Sequence, residues 1–371
     1  MEFEGAALPI DEFADFPTGL TNTDLTEGYR LYIRHLRDSV GGMGPAANFE
    51  VLIRTTKRVF SVQTRRDALV DWASSAGSWA AWQVKERLAL LDVEAHKFSG
   101  ISLDRPLIMG IVNVTPDSFS DGGETPDVES AIARGHAMLE AGADILDVGG
   151  ESTRPGAEPV ALEEEIRRVV SVIRVLAKAG ATVSIDTRRA PVMAAALDAG
   201  ATIVNDITAL NGDTRSLQTV ADAGASIVLM HMQGEPRTMQ ANPSYDCAPL
   251  DVFDFLADRV AACADAGIPL KRVAIDPGIG FGKTVEHNLQ ILGRLSLLRG
   301  LGCAIVLGVS RKSFIGRLNR DAHAQDRLAG SLAAALAGLD QGAAILRVHD
   351  VLETRQAVTT WTAIGGCLGP A

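Results

Sequence analysis

Asp186, Asn205, Asp276 and Lys312 are the side chains with which this sequence could grip a flat, nitrogen-rich heterocycle. A carboxylate accepts two parallel hydrogen bonds from an amino-amidine edge, which confers planar specificity. A second group, Asn113, Arg154, Arg347 and His349, has the chemistry to hold a phosphate, with the Asn113 amide oxygen on a Mg2+. Mg2+ needs few protein ligands where phosphate oxygens fill its other positions. Ser310–Gly316 can open a short helix whose N–H groups attract an anion. Two features are false leads. Gly278–Thr284 (GIGFGKT) ends like a phosphate-binding loop, but Pro277 stands where that motif needs its first glycine. His231, between Met230 and Met232, has no Cys or His nearby and reads as a supporting residue, not a metal ligand.

These residues are far apart in the chain, so a fold must gather them. The stretch Met109 to Gly123, MGIVNVTPDSFSDGG, sets the pattern: a short apolar run, then a long polar loop closing on two glycines. That unit recurs. Strands are expected at Ile108–Asn113, Ile145–Val148, Val183–Asp186, Ile203–Asp206, Ile227–His231, Val273–Asp276, Ala304–Val309 and Ile345–Val348, each followed by a helix. The intervening helices are expected at Val128–Glu140, Leu162–Ala177, Val192–Ala199, Arg215–Ala223, Val252–Ala266, His287–Leu298, Arg327–Leu339 and Leu352–Ile364. Eight strand–helix units over roughly 250 residues predict a (β/α)8 barrel of the TIM type, whose chemistry sits at the carboxyl ends of its strands. Every one of these strands ends in, or is followed by, a polar side chain. A doubly wound open sheet would carry a GxGxxG turn after strand one, whereas Gly110 lies inside that strand.

Residues 1–100 read as a separate N-terminal extension, a small α/β or α+β structure, with the barrel over 101–371. Glu2 to Asp24 is acidic and irregular, Tyr29–Leu36 could be strand or helix, and Phe49–Val62 reads as strands. Ala68–Leu90 has Trp72, Trp79 and Trp82 at helical spacing, a packing cluster by its composition. The hydrophobic share of 47 % with only 22 % charge indicates a large aliphatic α/β core. The net charge of −11 argues against a nucleic-acid surface and leaves any anion site to a local cluster. Cys247, Cys263, Cys303 and Cys367 form no CxxC and read as reduced thiols of a cytoplasmic chain. The acidic N-terminus offers no signal peptide, and no membrane association is expected.

The segments MGIVNVTPDSFSDGG, DVGGESTRPGA, SIDT, IVNDI, LMHMQGEPRTMQ, DPGIGFGK, GVSRKSFIG and RVHDV, taken in order from about Leu103 to Ile364, resemble the dihydropteroate synthase family. The resemblance implies condensation of 7,8-dihydropterin-6-ylmethyl diphosphate with 4-aminobenzoate, giving 7,8-dihydropteroate and diphosphate in folate biosynthesis. It implies that Asp186, Asn205, Met230, Asp276, Gly308 and Lys312 form the pterin site, and that Asn113, Arg347 and His349 hold Mg2+-diphosphate. It further implies that Thr153, Arg154, Pro155, Phe281 and Ser313 surround the 4-aminobenzoate, beneath mobile loops carrying Asp117, Ser118, Phe119 and Ser152. Catalysis is expected to rest on Asp186, Asp276, Lys312 and Asn113, through an SN1-like step without a covalent intermediate. A homodimer and sulfonamide inhibitors are implied as partners. A pterin-dependent methyltransferase and a non-catalytic barrel scaffold are the alternatives.

Overall fold

The computed structural model describes residues 10–13, 16, 29–36, 48–55, 58–93, 95–114, 126–151 and 160–367. Eight parallel strands close into a barrel: β7 (Leu107–Asn113), β8 (Ile145–Gly149), β9 (Val183–Asp186), β10 (Ile203–Asp206), β11 (Ser226–Met230), β12 (Val273–Asp276), β13 (Ala304–Leu307) and β14 (Ile345–Val348). Strand β14 pairs back onto β7, with Arg347 opposite Met109, which completes the ring. The expected strands and helices are all present, with ends shifted by a few residues. One helix differs in kind. The expected His287–Leu298 helix stops at Gly293, and a tighter 3-10 segment, Leu295–Leu301, follows it.

Alternation along the strands sorts the core into two shells. Leu107, Met109, Ile145, Ile203, Val228, Ala274, Ala304, Val306 and Ile345 fill the barrel interior. Ile108, Leu146, Val204, Ile227, Ile275, Ile305 and Leu346 face outward, under the surrounding helices. Each interior residue therefore predicts the side of its strand-end neighbours two positions on. The helices hand the chain back to the sheet through tight turns. At Gly142 the backbone takes φ 99°, and Ala143 N–H bonds Met138 O at 2.8 Å, closing the helix Pro126–Glu140.

The far end of the barrel is plugged. A hairpin of β5 (Lys97–Phe98) and β6 (Ile101–Ser102) inserts the buried Phe98 into the interior cluster. The expected division at residue 100 falls inside this hairpin.

Before it lies a four-stranded sheet in the order β1-β4-β3-β2, made of β1 (Ile10–Phe13), β2 (Arg30–Leu36), β3 (Asn48–Arg54) and β4 (Val59–Arg65). The strand at Ile10–Phe13 departs from the irregular stretch expected there. Its pairing with β4, Ile10 opposite Val59, supplies order that the sequence IDEF alone does not. Helices α1 (Arg66–Ala76) and α2 (Ser78–Leu91) cover one face of this sheet, burying Leu31, Ile33, Phe49, Val51 and Ile53. The opposite parity, Tyr32 and Leu52, is buried with the barrel's outer shell. Of the three tryptophans, Trp72 stacks on Phe16 at 4.2 Å and Trp79 packs on the sheet's core, but Trp82 is exposed.

Candidate active site

The strand register lines up a row of polar ends. Asn113 pairs with Gly149, Gly149 with Asp186, and Asp186 with Asn205, across four neighbouring strands. Met230 pairs with Asp276 on the other side of the ring. All share the inward parity set by Met109, Ile145, Ile203, Val228 and Ala274. The result is one cavity lined by Asp186, Asn205, Ile207, Met230, Asp276, Gly278, Ile279, Phe281, Gly308, Lys312 and Arg347.

Charge is concentrated in this cavity. Arg347 donates from Nε to Asp147 and from Nη2 to Asp186, each at 2.6 Å. Asp147 also accepts from the Asn205 amide at 2.9 Å. Burial lifts the Asp186 carboxyl to about 7, with Arg347 pulling it down and Asp147 pushing it further up. Burial likewise raises Asp276, whose Oδ1 accepts the Gly278 N–H at 2.7 Å. The Lys312 ammonium stands 4.1 Å above the centre of the Phe281 ring, a cation–π distance. Burial and the nearby Arg347 lower Lys312 to about 8, against the opposing pull of Asp276 and Asp186.

The loop after β12 forms one wall, and Lys283 holds it from within. Its buried ammonium donates to Gly278 O at 2.9 Å, Phe281 O at 3.0 Å and His231 O at 3.3 Å, and lies 2.9 Å from His231 Nδ1. The loop thus wraps carbonyls around its own lysine, the opposite of a phosphate cradle built from N–H groups. His231 is a support, as its sequence context suggests: burial and Lys283 depress its imidazole to about 2. Gly278 has φ 66°, and a Cβ there would lie 1.9 Å from His231 O.

Of the residues singled out in the sequence, the structure brings Asp186, Asn205, Met230, Asp276, Gly308, Lys312, Phe281 and Arg347 into this one cavity. Arg347, expected beside diphosphate, lines the same cavity as Asp186, Asn205, Asp276 and Lys312. Asn113 stands at its edge. A Cβ on Gly149 would lie 3.9 Å from Asn113 Oδ1 and 3.7 Å from Asp186 Oδ2, so both oxygens face the space that this glycine leaves open. His349 is oriented through Nδ1 by Ser310 Oγ at 3.0 Å. Ser313 is exposed at the start of the six-residue helix Ser313–Leu318, beyond the cavity lining. Asp117, Ser118, Phe119, Ser152, Thr153, Arg154 and Pro155 lie outside the described residues.

Asp206, by contrast, turns outward and accepts from Thr208 N, Thr208 Oγ1 and Leu210 N, fixing a turn. Arg311 pairs with Asp350 rather than facing the cavity. Asp147 and Lys283 are the residues that motif reading passes over. The signal for Asp147 is a carboxylate two positions after Ile145, on the inward side of an otherwise apolar strand.

Asn113 contributes a single amide oxygen, and among the described residues no three His, Cys, Asp or Glu side chains gather as a metal cage. Such a donor set suits a hard cation that brings most of its oxygen ligands with it.

A slot lined by carboxylates, an amide and two cations at the carboxyl mouth of a (β/α)8 barrel defines an enzyme site for a flat, hydrogen-bonding ring. The chain belongs to the pterin binding enzyme family, whose pattern it matches over residues 109–349. It is 48% identical over 279 residues to the dihydropteroate synthase of Neisseria meningitidis serogroup B, covering 73% of this chain and 97% of that one. Among solved structures, it resembles Xanthomonas albilineans dihydropteroate synthase with 4-aminobenzoic acid, at 48% identity and a TM-score of 0.68, over 71% of this chain and 95% of that one. The same Xanthomonas enzyme in complex with 7,8-dihydropteroate matches at 45% identity and a TM-score of 0.65, over 71% and 95% of the two chains.

Proposed function

We propose that this chain is a dihydropteroate synthase, joining 7,8-dihydropterin-6-ylmethyl diphosphate to 4-aminobenzoate. The observation that carries this reading is the convergence of Asp186, Asn205, Asp276, Lys312 and Arg347 on one cavity. The relatives bound to 4-aminobenzoic acid and to 7,8-dihydropteroate support it.

The dihydropterin lies in the slot with its amino-amidine edge toward carboxylate, and Asn205, Met230 and Gly308 fix its plane. Asp186 and Asp276 stand where positive charge spreads into the ring as the exocyclic C–O bond breaks, so they stabilise that cation electrostatically. Lys312, stacked on Phe281, holds the opposite edge. Arg347 uses Nε and Nη2 on Asp147 and Asp186, which leaves Nη1 to turn toward a diphosphate oxygen. His349, oriented by Ser310, and Asn113 complete the leaving-group side. Mg2+, when bound with the diphosphate at Asn113, neutralises part of the leaving group's charge. The aryl amine, beside Phe281 and Ser313, then forms the C–N bond and gives up one proton to water.

A homodimer is the assembly expected of this family resemblance, and light scattering on the full chain tests it. Function is tested by supplying both substrates and measuring products. Diphosphate and 7,8-dihydropteroate released in equal amounts support the reading. Methyl transfer from methyltetrahydrofolate, without diphosphate release, would replace it with the methyltransferase alternative.

A further inference from the structure

The family match begins at residue 109, so the N-terminal sheet lies outside it. We infer that this sheet braces the wall of the pterin slot, with Arg54 and Tyr245 as positioning residues. The inference rests on the pterin reading of the slot and gives the N-terminal layer a role in it.

Sheet and barrel are joined by a continuous set of contacts. Tyr32 donates its hydroxyl to Asp254 at 2.8 Å and packs edge-on against Phe253 at 5.3 Å, both on the helix Ala248–Asp265. Arg34 reaches Gly293 O at 3.2 Å. Arg54, at the end of β3, pairs with Asp251 through Nη1 and with Asp246 through Nη2 at 3.3 Å. Asp251 also accepts the Cys247 N–H at 3.0 Å, so Arg54 grips both flanks of the turn that leads into this helix.

Tyr245 is the next residue back along that turn. It is buried, and its hydroxyl donates to Gly282 O at 2.8 Å. Gln240 adds a second link, donating to Gly280 O at 2.6 Å. Gly280 and Gly282 flank Phe281, which lines the slot and supports Lys312. A path therefore runs from the N-terminal sheet through Arg54, Asp246 and Tyr245 to the slot wall. Freeing either link lets Phe281 and Lys312 drift, and small misplacement of binding groups is costly.

The test uses the full chain with Arg54→Ala, Arg54→Lys and Tyr245→Phe. Turnover kinetics are read together with amide exchange at residues 280–283. The expected result is a KM for the dihydropterin diphosphate raised roughly three- to tenfold by Arg54→Ala and by Tyr245→Phe, the scale of one lost hydrogen bond. The kcat stays within about twofold, exchange at 280–283 accelerates, and Arg54→Lys restores most of the KM. Unchanged KM and exchange in an active Arg54→Ala protein overturn the inference, as does an effect confined to Tyr245→Phe. If Arg54→Ala fails to fold, Arg54→Gln, which removes the charge and keeps much of the side chain's length, takes its place: a raised KM and faster exchange at 280–283 support the brace, and wild-type values overturn it. Wild-type protein that makes no dihydropteroate would instead remove the pterin reading itself.

Discussion

The Asp147 carboxylate accepts the Arg347 Nε–H at 2.6 Å, inside the barrel and past the intervening β7, from β8 to β14. Asp147 is fully buried, and its second duty is to hold the Asn205 amide. It sets the positions of two slot residues without lining the slot itself. Removing it leaves Arg347 Nε–H and the Asn205 amide as buried donors without this acceptor, while Asp186 still holds Arg347 Nη2. Asp147→Ala is therefore expected to cost about 3 kcal/mol of folding stability, the scale of buried donors left unpaired. Asp147→Asn, which keeps an acceptor for Asn205, should lose less. Chemical denaturation checks the ranking; equal losses would mean that the retained acceptor contributes nothing and that the charge on Asp147 carries the whole effect.

Asp186→Asn separates catalysis from folding. The substitution keeps the size of the side chain and removes a counter-charge to the pterin cation. Turnover is expected to fall by at least about a hundredfold, on the scale of other electrostatic transition-state contacts. The melting temperature should move by only a few degrees. Steady-state rates and thermal unfolding measured on the same preparation decide it, and a parallel collapse of both would make Asp186 a structural residue.

Lys312 gives the site a pH dependence. Its ammonium, lowered to about 8 by burial and Arg347, loses its proton well below the ordinary 10.5, despite Asp276 and Asp186 nearby. Pterin affinity should therefore weaken as pH rises through about 8. Lys312→Met should flatten that limb while binding more weakly at every pH. The effect on stability has the opposite sign. Between about 8 and 10.5 the unfolded chain holds the lysine proton and the folded chain does not, so this group's penalty on folding shrinks as pH rises. Calorimetric titrations at several pH values read the first effect, and denaturation the second.

Gly278→Ala tests the slot wall. A Cβ would meet His231 O at 1.9 Å, at a φ that favours glycine, so the loop cannot absorb it in place. The loop should shift, taking the Asp276–Gly278 hydrogen bond and Phe281 with it, and pterin affinity should drop by tenfold or more. Gly293→Ala, with open space around the added carbon, is the control and should bind normally.

Much of this architecture is legible in the residues. Short apolar strand runs, helices of regular length and polar strand ends place eight units in order, and a closed barrel brings those ends together. Asp186, Asn205, Asp276 and Lys312 are readable as a set because each lies at the carboxyl end of its strand or in the loop that follows. What stays hidden depends on contacts across the ring. Nothing near Arg347 in the chain announces that it will meet Asp147, which is 200 residues away. Lys283 looks like part of a phosphate motif until its carbonyl partners are seen. The strand at Ile10–Phe13 exists only because β4 offers an edge. The junction of Tyr32 and Arg54 with the barrel helix is likewise a tertiary event that no local pattern encodes.

Under the proposed function, a single slot at the barrel mouth takes the pterin through Asp276 and its neighbours. Calorimetric titration of the full chain with 6-hydroxymethylpterin tests it most directly. One site per chain, lost in Asp276→Asn while the variant remains folded, is the predicted result. Undiminished binding by folded Asp276→Asn would contradict the account.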